Sequence, residues 1–134
     1  MASLNVSAAH SLRLLPIGRL RQFAHYRTCV NLAWLVPPDD AEEIPGSIRI
    51  TSSGENGIIK KNITYKRKIT GHAAADQLEG YKATRLIALY VDETGQMRVA
   101  GSPDYPLAFS FTSGDGVFTC TIEGEAPTID GFLL

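Results

Sequence analysis

Cysteine is scarce in this 134-residue chain, and the two present, Cys29 and Cys120, lie far apart without metal-type spacing. A disulfide framework and a cysteine-based zinc site are both disfavoured, and two separate buried thiols are expected. Long apolar runs are also missing. No stretch approaches the roughly 20 residues needed to span a bilayer, so no membrane role is expected. The three histidines, His10, His25 and His72, form no HxH, HExxH or Cys/His cluster, which leaves zinc without a visible ligand set. There is no Gly-x-Ser-x-Gly elbow. The glycines of Ser113–Gly116 precede no helix that could hold a phosphate. Asp92–Gly95 lacks the oxygen count of a calcium loop. The expectation is a protein that is not an enzyme and uses no cofactor or metal.

Charge is nearly balanced, at −1 overall, which argues against general nucleic-acid binding. It is unevenly placed. Arg13, Arg19, Arg21 and Arg27 meet no acid before Asp39, whereas residues 104–134 carry five acids and no Lys or Arg. Ends of opposite sign favour head-to-tail contacts between copies. The arginines near the start also admit an organelle-targeting segment, while His10 and Arg13 interrupt any secretory apolar core.

What the chain has is strand pattern. Arg85–Val91 is apolar and β-prone, Asp92–Gly95 is a turn, and Gln96–Ala100 returns. Leu107, Phe109 and Phe111 alternate with small residues, Ser113–Gly116 turns, and Val117–Ile122 comes back. Turn residues between apolar runs of this kind mark antiparallel hairpins. Tyr26–Val36 is a further strand region, stopped by Pro37-Pro38, and residues 39–46 read as a solvated acidic loop. Ser47–Thr51 is a short strand, Ser53–Gly57 a turn, and Ile58–Ile69 a long strand. In that strand Ile59, Ile63, Tyr65 and Ile69 share one parity and Lys60, Lys66 and Lys68 the other. Lys61 and Arg67 break the pattern and are expected toward an edge. Ala74, Leu78 and Tyr81 form a narrow apolar stripe on a helix over residues 72–84. The fold class expected is α+β, mainly β: an antiparallel β-sandwich or partly closed barrel with one flanking helix. Residues 1–134 are expected to form one β-rich domain with an N-terminal arm (about 1–22) and a short apolar tail at Phe132–Leu134.

The segment from Ile69 to Leu107, with its helix, strand, Asp-Glu-Thr-Gly hairpin and Gly-Ser-Pro-Asp-Tyr-Pro-Leu exit, resembles small tail-module proteins of phages and prophages of Bacteroides-type bacteria. That resemblance implies a virion structural protein, most concretely a tail-tube-like subunit. Such subunits assemble in the bacterial host cytoplasm into homo-oligomeric rings. It implies as partners the chain itself, other virion tail or connector proteins, and passive contact with passing DNA. The basic Lys60–Lys68 strand departs from the acidic lumen usual in tail tubes. Candidate subunit-interface residues are Lys60, Tyr65, Lys66 and Lys68 on the long strand and Phe132, Leu133 and Leu134 at the tail. The alternative is a β-barrel binding or decoration module of a virion, with Trp34, Tyr81, Tyr90 and Tyr105 lining an aromatic site.

Overall fold

Leu86, Ala88 and Tyr90 point one way from their strand and Ile87 and Leu89 the other, yet all five are buried. A strand with two apolar faces needs a core on each side, and the computed structural model, which describes residues 3–134, supplies both. In chain order the strands are β1 (Ser3–Ala8), β2 (His10–Pro16), β3 (Leu20–Tyr26), β4 (Cys29–Trp34), β5 (Asp39–Asp40) and β6 (Arg49–Glu55). They continue as β7 (Ile58–Lys68), β8 (Arg85–Val91), β9 (Met97–Ala100), β10 (Leu107–Gly114), β11 (Val117–Ala126) and β12 (Gly131–Leu133). The helix α1 (His72–Lys82) lies between β7 and β8. The sheet is open, in the order β1-β6-β7-β11-β10-β8-β9-β12-β4-β3, with β2 along the free side of β8 and β5 beside β2. This is the mainly β architecture with one helix that the sequence suggests.

The division occurs at β8. β2 covers one edge, while the other is shared between β10, at Arg85 and Leu86, and β9, from Ala88 to Val91. On one face a large core gathers Leu12, Leu14, Ile50, Ile63, Tyr65, Leu86, Phe109 and Ile122. The helix adds Ala74, Leu78 and Tyr81, the stripe anticipated from spacing. Tyr81 meets Phe109 edge-on, with ring centroids 5.5 Å apart. On the other face Leu15, Val30, Ile87, Leu89 and Val99 form a second core, flanked by Ile17, Leu20, Phe23, Leu32 and Leu133. At roughly 1.5–3 kcal/mol per buried large aliphatic side chain, this smaller core is comparable with the whole net stability of an ordinary domain.

The hairpins form where the turn chemistry dictates. Asn56-Gly57 and Asp115-Gly116 both have positive φ, as two-residue type I′ connections require. Asp92 accepts hydrogen bonds from the Thr94 and Gln96 amides and the Thr94 hydroxyl. These bonds, with Arg98 nearby, hold its carboxyl down at about 2.

Several expectations are corrected. The expected arm, about 1–22, is not seen over its described residues 3–22: β1 pairs with β6, and β2 is an interior strand whose Leu12, Leu14 and Leu15 are fully buried. A register shift between His10 and Arg13 breaks the period of two that would have revealed it. Phe132 and Leu133 are no free tail: β12 inserts between β9 and β4. Lys61 and Arg67 do not sit toward an edge, because β7 is flanked by β6 and β11. Both share the inward parity of Ile63 and Tyr65 and end on carboxylates, Lys61 on Asp130 and Arg67 on Glu42, each at 2.7 Å. The acidic loop is likewise tied down. Asp39 accepts from Arg19 at 2.8 Å and from the Tyr81 hydroxyl at 2.6 Å, and the Arg19 guanidinium holds its carboxyl below the usual range.

The two thiols are free and differ in environment: Cys29 is half-buried and Cys120 buried beside Tyr65. Burial pushes the Cys120 thiol up to about 11, so it stays protonated and inert at neutral pH. An aromatic disulfide reagent is expected to label a single thiol, Cys29, in the native protein and Cys120 only after unfolding. Peptide mass spectrometry reads this directly, and equal native labelling of both would refute it.

Candidate functional site

The proposed interface residues do not converge. Lys60, Lys66 and Lys68 are exposed on the outer face of β7. Tyr65 points the opposite way, is 1% exposed, and so offers nothing to a partner. Burial raises its hydroxyl pKa well beyond the ordinary phenol range. Phe132 lies under the Arg98 guanidinium, 4.1 Å from its ring centre. Leu133 packs on the second core, and Leu134 alone is open, at 72%. Nor do the aromatics of the alternative form one site. Tyr81 and Tyr90 are buried, while Trp34 and Tyr105 are partly exposed on separate segments.

The outer face of β6, β7, β11 and β10 is uncovered and polar. Lys60 lies opposite Glu125, Thr64 opposite Thr121, and Lys66 opposite Thr119. Glu123 and Glu125 share one end with Lys60, and Arg49, Lys66 and Lys68 lie toward the other. The face is half-solvated in the usual antiparallel manner.

A more structured site lies where the second core opens beneath the loops 101–105 and 126–131. A cavity of about 390 Å³ there has Val30, Val99 and Gly131 as its floor and Phe23, Tyr105 and Ile129 on its walls. His25, Ser102, Asp104, Thr128 and Asp130 supply its polar lining. Asp130 is the buried anchor. Its carboxylate takes Lys61 Nζ at 2.7 Å and the Tyr90 hydroxyl, and its carbonyl accepts from Arg98 at 2.6 Å. Burial, then the Asp130 charge, drives the Tyr90 pKa upward, so Tyr90 remains a neutral donor. Arg98 also reaches Asp92 at 3.3 Å. Gly131 is required because a Cβ there would collide with Val30 Cγ2.

Asp130 and Arg98 were not singled out from sequence, and Lys61 was expected toward an edge. Inward parity of Lys61, two residues before Ile63, was the available signal, since a buried lysine demands a carboxylate. Among the described residues no three His, Cys, Asp or Glu side chains form a metal-binding group, and no helix is long and apolar enough to cross a membrane. No protein-family model, curated protein or solved structure matches the chain.

Proposed function

We propose that this protein is a structural subunit of a phage virion, tail-tube-like, whose copies join into homo-oligomeric rings. The observation that supports this most is the open edge strand β3 at the end of the sheet path. Exposed apolar residues flank it: Tyr26 at one end, and at the other Trp34, which closes its partner strand, with Leu35 and Val36 just beyond. An unpaired strand edge is a template for another strand, and flanking apolar side chains add the burial that backbone bonds alone do not provide. The Leu20–Gln22 register shift blunts only the first part, leaving Gln22–Tyr26 regular. In this role the virion is the location, neighbouring tail or connector proteins are further partners, and the lysine face of β7 would meet a neighbour or passing DNA.

The wild type is expected to run above monomer mass in size-exclusion chromatography with light scattering and to show rings by electron microscopy. Leu35→Asp with Val36→Asp, at positions 69% and 50% exposed, is expected to give monomers with unchanged thermal stability. A wild type that stays monomeric at high micromolar concentration would remove the basis for the proposal. A second role, as a binding or decoration module of a virion, is favoured by one observation, the cavity beside Asp130.

A further inference from the structure

The cavity beside Asp130 is not used by pairing at β3, and its chemistry can be followed without assuming assembly. Its volume, about 390 Å³, lies in the range of sites that enclose a small group. Its lining contains two carboxylates and no lysine or arginine. These carboxylates are not equivalent. Asp130 is already neutralised by Lys61, and hydrogen bonds from the Tyr90 hydroxyl to its carboxylate and from Arg98 to its carbonyl fix it in place. Asp104 stands exposed at the mouth and makes no ion pair among the described residues. Tyr105, 46% exposed, follows it in the chain, and Phe23 lines the same cavity. Aromatic rings and an unpaired carboxylate lining one cavity favour a cation, which the ring quadrupole and the carboxylate attract together. The apolar floor of Val30 and Val99 suits the methylene stem of a long basic side chain.

We propose that this cavity binds the guanidinium end of an arginine side chain presented by a peptide segment of a partner. Asp104 is its counter-charge, and Tyr105 and Phe23 form its walls. An arginine is preferred over a neutral group of the same shape because the lining offers Asp104 as an unpaired carboxylate and, besides His25, no basic side chain.

The test is an amide-resolved NMR titration of the full chain carrying Leu35→Asp and Val36→Asp, with N-acetyl-arginine amide as probe and N-acetyl-citrulline amide as its neutral isostere. Reading the titration on that variant separates the result from the fate of the ring proposal. Arginine is expected to shift the amides of Gly101, Ser102, Tyr105, Thr128 and Gly131, with citrulline weaker by about tenfold. Asp104→Asn and Tyr105→Ala, both at exposed positions, are each expected to weaken arginine binding by about five- to tenfold while leaving the remaining spectrum in place. Equal shifts from citrulline would overturn the proposal. So would arginine shifts that survive Asp104→Asn, or saturation of these amides by a neutral sugar such as glucose with none by arginine.

Discussion

Alanine at Asp130 is expected to lower the free energy of unfolding by about 3–5 kcal/mol, the range for removing one partner of a buried ion pair. The side chains of Lys61 and Asp130 are 14% and 8% exposed and 2.7 Å apart. Without the carboxylate, Lys61 keeps its charge inside the protein with nothing to balance it, and the Tyr90 hydroxyl loses its acceptor. Arg98 still has the backbone carbonyl of residue 130, so the strand after it need not detach. Replacing both partners together, Lys61→Met with Asp130→Leu, is expected to recover much of the loss, because a desolvated pair contributes little net stability over apolar groups of similar size. Urea unfolding followed by circular dichroism measures all three variants. A loss below about 1 kcal/mol for Asp130→Ala would mean the pair behaves as a surface bridge, and the site would lose its anchor.

Adjacent residues of β8 are expected to be equally intolerant. Leu86→Ala and Ile87→Ala should each cost about 2–5 kcal/mol, although their side chains point to opposite faces. Leu86 belongs to the larger core and Ile87 to the smaller, and both are 0% exposed. In a sheet with one wet face, one of the two would be nearly silent, within about 0.5 kcal/mol. Thermal and denaturant unfolding distinguish these outcomes. A silent Ile87→Ala would mean that the β3–β4 flank does not cover β8 in solution.

The parts legible in sequence are those decided locally. The Asn-Gly and Asp-Gly turns, the Asp92–Gly95 connection and the stripe of Ala74, Leu78 and Tyr81 are each set by a few neighbouring residues. The unbroken apolar run of β8 was visible, but its cause, a core on each side, depends on what packs there. β2 was obscured by its register shift between His10 and Arg13 and because it feeds both cores, Leu12 and Leu14 into one and Leu15 into the other. Pairing of β12 with β4 joins Phe132 to Cys29, a separation that no local pattern encodes. Lys61 and Arg67 looked like exceptions because a charge at an inward position makes sense only once Asp130 and Glu42 are seen to meet it. The cavity was illegible for the same reason, since its walls come from β3, the 101–105 loop and the 126–131 loop.

The three residues of β12 have a consequence for how the molecule breathes. Among the described residues the β3–β4 ribbon is hydrogen-bonded into the remainder of the sheet across this short splint, through the Phe132 and Leu134 amides on Thr28 and Val30. Slipping the splint out would free the ribbon and unroof the lesser core while the larger one stayed shut. Cooperative units of this kind exchange their amide hydrogens through partial opening, below the cost of global unfolding. The ribbon whose β3 edge is proposed to meet a neighbour is thus also the portion most easily loosened, and docking there would tighten it.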